Sequence, residues 1–383
     1  MNRARRRFVQ QGAAAVATLA WGVLTEAADA ERVRLLVLLE LRGGNDGLNT
    51  VVPVEDGRYF DLRPRVALRG DAVVAFDRSL TLHGSLAPLR PLWDAKEMVV
   101  IEGVGYPQAN LSHFRSIEIW DTASASNEIL QQGWLARAAR TAAFARFAAD
   151  GVVIGAADLG PLAGGARAVS LSDPERFARQ ARLAKDGQIA ARGALAHLLQ
   201  VENDVVHAAA QLRPEVRLQT EFPRGAFGAA VQHAAAIAST RKVPVIRITL
   251  AGFDTHQNQS NAHAQLLRQV AEGVVALRAA LLEIGAWQDT LVLTYSEFGR
   301  RPRENASAGT DHGTAGVMLG FGPGVKAGRL GAPPALARLD ENGNLPFVVD
   351  FRSVYAAVLN DWFGLDAARI LGHRFAPLPL LTA

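Results

Sequence analysis

Five short apolar runs constrain this chain more than anything else in it: Val33 to Leu41 (VRLLVLLEL), Met98 to Glu102, Val152 to Ile154, Pro244 to Leu250 (PVIRITL) and Thr290 to Tyr295 (TLVLTY). Each is rich in Val, Ile or Leu and bounded by Gly or polar residues, the pattern of strands buried on both faces of a mostly parallel sheet. Between them lie stretches of helical character: Phe114 to Ala123, Trp134 to Ala148, Pro174 to Ala184, Ile189 to Gln211, Ala226 to Ser239 and Ala262 to Leu282. Strand and helix in alternation predict an α/β fold, a mostly parallel central sheet with helices on both faces. The Ala- and Arg-rich block from about 174 to 240 reads as a helical insertion in a single domain spanning 31–383, with no repeat or low-complexity linker to mark a second.

In such a sheet, chemistry gathers at the carboxyl ends of the strands. The first run enters RGGNDGLNT, which places Asn45, Asp46 and Asn49 in a Gly-rich loop. PVIRITL enters AGFDTHQNQ, with Asp254 and His256 just past its end, two apart and so on one side of an extended segment. TLVLTY enters SEFGRRP, with Glu297, and then GTDHGT, where Gly309 and Gly313 allow a tight turn to aim Asp311 and His312 inward. Asp46, Asp254, His256, Glu297, Asp311 and His312 together form a donor set suited to one or two divalent ions, Zn²⁺, Mn²⁺ or Mg²⁺. One Asp–His pair alone is more often a capped turn or hydrogen-bonded loop than a metal site; their coincidence at successive strand ends favours a metal.

The best-placed nucleophile is Ser112 in YPQANLSHFRS, which follows a strand and opens a helix whose N-terminus offers donors to an anion. An ordinary N-cap serine is the competing reading. His113 and Arg115 beside it either orient or bind an anion, or are solvated side chains. The glycines at 43, 44 and 47 do not make the GxGxxG dinucleotide fingerprint, and no GxSxG elbow follows a strand. Trp120, Trp134, Trp287 and Trp362 read as packing groups. His83, His197, His207, His233 and His373 read as surface or satisfied core histidines, and His263 as an outer ligand at most.

Composition narrows the function classes. There are 41 basic against 37 acidic residues, a net charge of +4, with no block of like charge beyond the extreme N-terminus, so nucleic acid is not an expected partner. The absence of cysteine removes disulfides, thiolate metal sites and a cysteine nucleophile. Residues 1–30 read as a twin-arginine export signal: Arg3, Arg5, Arg6, Arg7 and Phe8, a Gly12 to Leu24 run too short to span a bilayer, and the small-x-small site Ala28, Asp29, Ala30. The expected mature chain is periplasmic or extracellular, without a transmembrane span. That route carries proteins already folded, often with a metal or cofactor in place.

In order, LLELRGGNDGLNTVVP, LHGSLAPLRPLW, YPQANLSHFRSIEIWDTAS, GFDTHQNQSNAH, TLVLTYSEFGR, TDHGTAGVMLGFGPGVKAG and DFRSVYAAVLNDWFG are similar to the exported, twin-arginine family known as domain of unknown function 1501. Through it the chain resembles the alkaline-phosphatase and sulfatase superfamily, which implies an alkaline-phosphatase-like fold. The resemblance puts Asp46 in the place of the first-strand metal carboxylate, Ser112 near the nucleophile, and Asp254, His256 and His312 among the metal ligands. TYSEFG stands where relatives carry a strand ending in Asp-His-Gly, so Glu297 replaces the Asp and Phe298 the His. The latter change weakens half of a two-metal site unless Asp311 or another group fills in. A sulfatase is not expected, because there is no Cys and Ser112 lacks a formylglycine context. The resemblance implies a metal-dependent hydrolase of phosphate or related anionic esters, small or polymer-linked, using an activated Ser112 or water. The alternatives are a non-catalytic periplasmic binding or assembly protein that keeps the fold, and an exported oxidoreductase, for which no nucleotide fingerprint is present.

Overall fold

A computed structural model describes residues 33–171, 212 and 216–382. The export signal and the helical stretches at 174–184 and 189–211 lie outside these residues. In chain order the strands are β1 (Leu35–Arg42), β2 (Val73–Ala75), β3 (Thr81–His83), β4 (Met98–Gly105), β5 (Gly151–Ile154), β6 (Ala168–Leu171), β7 (Val245–Ala251), β8 (Thr290–Tyr295), β9 (Gly299–Glu304), β10 (Thr310–Gly313), β11 (Gly316–Phe321), β12 (Gly328–Gly331) and β13 (Val349–Asp350). Nine form one sheet in the order β12-β4-β11-β8-β1-β7-β5-β6, with β13 beside β4. Its pairings are parallel except those of β11 with β4 and β8. Strands β2 and β3, and β9 and β10, pair as separate antiparallel ribbons.

β1 shows why this sequence makes a central strand. Its period of two sends Leu35, Val37, Leu39 and Leu41 into one buried cluster and Leu36 and Leu38 into another on the opposite face. Each such leucine, fully buried, contributes about 1.5–3 kcal/mol of transfer free energy. The Ala226–Ser239 and Gln259–Glu283 helices supply the first cluster, the latter through Leu266, Leu267, Val270, Val274, Leu277 and Leu281 at helical spacing. The His113–Thr122, Trp134–Ala139 and Phe351–Ala357 helices supply the second. Trp120, Trp134, Trp287 and Trp362 are all buried, Trp120 stacked on Phe351 with centroids 4.3 Å apart. Among the described residues no helix is long and apolar enough to cross a membrane.

Two local expectations differ from the structure. The helix expected from Trp134 to Ala148 ends at Ala139. The tight turn expected at Asp311 and His312 is instead strand β10, paired with β9 and bulged between Thr310 and His312. The β9 sequence GRRPRE carries no apolar alternation, because this ribbon packs through arginine and backbone rather than through an oily face.

β1, β7 and β8 are neighbours, so their carboxyl-terminal loops meet, and β4, one strand beyond β11, sends its chain into the His113–Thr122 helix. Glycine makes the contact between loops possible. Gly43 has φ +120, and a Cβ there would lie 2.3 Å from the Asp254 nitrogen. At Gly309 a Cβ would lie 2.1 Å from the His256 carbonyl carbon, so the tip between β9 and β10 rests on the loop after β7.

Candidate metal centre

His113, Asp254 and His312 each turn one ligand atom to a common point, all within 4.8 Å of one another. His312 Nε2 is 3.1 Å from Asp254 Oδ1, and His113 Nε2 is 3.4 Å from Asp254 Oδ2. His256 Nε2 lies 2.9 Å from His312 Nε2 and 3.0 Å from Asp254 Oδ1. These separations fit neighbouring ligands of one small ion, which are roughly 3.3 Å apart around tetrahedral zinc with bonds of about 2.0–2.1 Å.

The groups behind the ligands fix which nitrogens are free. His312 Nδ1 donates to the Leu111 carbonyl at 2.7 Å, and His113 Nδ1 donates to Glu297 Oε1 at 2.9 Å. With both Nδ1 atoms engaged behind the centre, each ring turns its Nε2 toward it. Glu297 is buried and also accepts from the Gly43 N–H at 2.9 Å. It therefore orients a ligand instead of facing the common point. Arg300, fully buried, holds the loops together: it donates to Gly44 O at 2.7 Å, Thr310 O at 2.7 Å, Phe253 O at 2.9 Å and Asp254 Oδ1 at 2.7 Å, and to Gly43 O. Burial by itself raises the Asp254 carboxyl, but the Arg300 and then His312 hydrogen bonds outweigh it and bring the pKa down to about 2. Burial also lowers the pKa of His312. The centre thus presents an ionised carboxylate, and at His312 an imidazole whose neutral form is favoured, the states that bind metal.

Asp46 is placed differently. It is 0 % exposed, its Oδ2 accepts from Arg63 Nη1 at 2.6 Å and from Gln259 Nε2, and its Oδ1 caps the Gly47–Thr50 helix at Leu48 N. Burial raises its pKa, yet the Arg63 charge prevails and holds it below the ordinary value. Asp311 is exposed, with Oδ1 3.5 Å from His256 Nδ1 and 3.1 Å from Asn305 Nδ2. Ser112 occupies the N-cap position of the His113–Thr122 helix, but its hydroxyl makes no capping hydrogen bond and the residue is exposed. Arg115 is taken up by the chain after its own helix, through Ala125 O and Ser126 O at 3.2 Å and Glu128 O. It braces that loop. Phe298 packs its ring on His312, centroids 4.1 Å apart, and on His113 at 4.9 Å.

Arg63, Gln259 and Arg300 escaped the reading of the sequence, and His113 entered it with another role. YFDLRPR holds no signal that Arg63 becomes a buried cation. The tandem arginines of FGRRP were in view, but only the fold shows that Arg300 points inward.

Among solved structures the chain is similar to Ps i-CgsB, with 12% identity over 90% of this chain and 73% of that one and a TM-score of 0.38. It is similar to the phosphonate monoester hydrolase SpPMH from Silicibacter pomeroyi, with 12% identity over 90% and 78% of the two chains and a TM-score of 0.39. The PsFucS1 sulfatase from Pseudoalteromonas sp. gives 12% identity over 95% and 72% and a TM-score of 0.38. None of the curated proteins compared with the chain matches it in sequence. The family described as protein of unknown function (DUF1501) matches residues 96–372, a span that contains His113, Asp254 and His312, and the chain belongs to that family.

Proposed function

We propose that this protein is an exported, divalent-metal-dependent hydrolase of anionic esters. The observation that carries the reading is the convergence of His113, Asp254 and His312 with both imidazole Nδ1 atoms already committed to donation. His113, Asp254 and His312 would hold the ion, with His256 at ligand distance from the last two. Imidazole with carboxylate suits zinc better than magnesium or calcium, which favour oxygen-only sets. The ion would neutralise charge on the ester and lower the pKa of the attacking oxygen.

The chain's own groups do the rest. Ser112, exposed beside His113 and making no capping hydrogen bond to its helix, is the group we assign as nucleophile. Glu297 and the Leu111 carbonyl keep the two imidazoles oriented, and Arg300 keeps the Asp254 carboxyl ionised. Phe298, buried and packed at a tilt against both rings, gives them an apolar wall.

Elemental analysis of the mature protein, purified without chelators, tests the reading together with hydrolysis of a panel of phosphate and phosphonate esters. We expect bound transition metal, lost in His113→Ala and His312→Ala, and ester turnover lost in Ser112→Ala with metal retained. A folded protein that holds no metal overturns the proposal. Metal without turnover of any ester would turn the reading to a binding protein.

A further inference from the structure

We infer that the centre takes a single ion, with Arg63 giving Asp46 the positive charge that a second ion would bring, and that it is thereby matched to esters carrying one negative charge. The inference rests on the metal-dependent reading above and names its stoichiometry and substrate class.

Asp46 stands at the end of β1 in the same tier of loops as Asp254, and a metal carboxylate was expected there. Instead its charge is already answered. Arg63 Nη1 lies 2.6 Å from Oδ2, and neither side chain has any exposed surface. Arg63 is itself immobilised: it also donates to Asn49 Oδ1 at 2.8 Å, Pro302 O at 2.7 Å and Arg301 O at 2.9 Å. A planar guanidinium with donors fixed on four acceptors is not displaced by an ion without orphaning those acceptors in the interior. Gln259 closes the other side, giving its Nε2 to Asp46 while its Oε1 accepts from Thr255 Oγ1 at 3.1 Å and Thr310 Oγ1 at 2.6 Å. Thr255 sits between Asp254 and His256, so the neutralised carboxylate braces the metal loop without facing it. Phe298 fills the inner side of the centre with a ring that offers no ligand atom.

The charge count follows. Asp46 and Arg63 cancel, Asp311 at the rim is answered by Arg301, and one divalent ion among Asp254, Glu297 and Arg300 leaves a single net positive charge. Attraction of a substrate grows with its charge, whereas the cost of desolvating it grows with the square of that charge. A site with one spare positive charge therefore favours a monoanion.

Metal is counted in the full mature protein after zinc loading and dialysis, for the native chain, Asp46→Asn, and Asp46→Asn combined with Arg63→Met. The double variant removes both buried charges and guards against a misfolded single one. One equivalent in the native protein and in the folded variants is expected. Two equivalents, one of them lost with Asp46, overturn the inference while leaving the metal reading intact; none overturns the metal reading itself. Calorimetric titration of the zinc-loaded protein at pH 8 with diphenyl phosphate, a monoanion, and phenyl phosphate, a dianion, tests the substrate class. At least tenfold tighter binding of the monoanion is expected. Equal binding, the reverse order or no binding of either overturns that part.

Discussion

Strands β1, β7 and β8 and the loops that follow them carry two charged clusters, and they are built on opposite principles. On the face of Leu36 and Leu38, Arg247 Nη2 meets Glu40 Oε2 at 2.8 Å, its Nη1 meets Asp158 Oδ1 at 2.8 Å and its Nε meets the Tyr295 hydroxyl at 2.9 Å. Arg42 adds bonds to Glu40 at 3.1 Å and Asp158 at 2.8 Å, and Thr249 donates to Glu40. Asp121 nearby has a buried oxygen without a partner, and burial, opposed by Arg247, pushes its carboxyl up to about 8, so it is uncharged at neutral pH. Two arginines then balance two carboxylates. At the candidate metal centre, by contrast, imidazole nitrogens and a carboxylate converge, and among the described residues Arg300 is the one guanidinium bonded to Asp254. The lesson is that a cluster with its charges matched serves stability, and one left with converging acceptors serves a ligand.

That contrast can be broken most sharply at His312. His312→Ala should abolish metal retention, a loss beyond the roughly 100-fold that changes behind a ligand produce, while thermal unfolding of the apo protein moves little. Metal content equal to the native protein would place the ion elsewhere. Arg247→Met should do the reverse: it leaves Glu40 short of its buried partner and costs about 3–5 kcal/mol of stability. Urea unfolding reads that cost, and the folded fraction should bind metal as before.

Glu297→Gln sharpens the comparison, because it keeps the shape and removes the charge behind His113. Metal affinity should fall roughly 10–100-fold, measured by competition with a chelator of known affinity. An unchanged affinity would mean that Glu297 only ties down Gly43. The smallest effect is expected from His263, 1 % exposed, whose Nε2 donates to Asn45 Oδ1 at 2.9 Å. Burial, opposed by Asp46, lowers its pKa from 6.5 to about 4. The unfolded chain therefore binds a proton that the folded chain refuses, and stability falls as the pH drops from about 6.5 toward 4. About 1–2 kcal/mol should be lost from this group between pH 7 and pH 5. Comparing urea midpoints at the two pH values for the native chain and His263→Gln checks it; the same pH slope in both would exonerate the histidine.

The apolar runs were legible because burial on two faces demands Val, Ile and Leu whatever the neighbours, and β8 and the Ala226–Ser239 helix lie at the bounds read from the sequence. The position of Asp254 was legible for a related reason: a polar residue that closes an apolar run sits at a strand end. β9 and β10 were not, since a polar ribbon held by backbone pairing and arginine leaves no hydrophobic period.

The sequence by itself thus determined five strands of the sheet and several of the helices beside it, because hydrophobic period is a local property. Only the tertiary structure decided what each Asp and His at the strand ends does. Asp46 and Asp254 are alike as residues and as strand-end positions, and they part because the chain near residue 63 returns to cover one with a buried guanidinium while His113 and His312 arrive from two other segments to join His256 in facing the other. Charge compensation in a protein interior is set by what lies within a few ångströms, and for Asp46 those neighbours, Arg63 and Gln259, are 17 and 213 residues away in sequence.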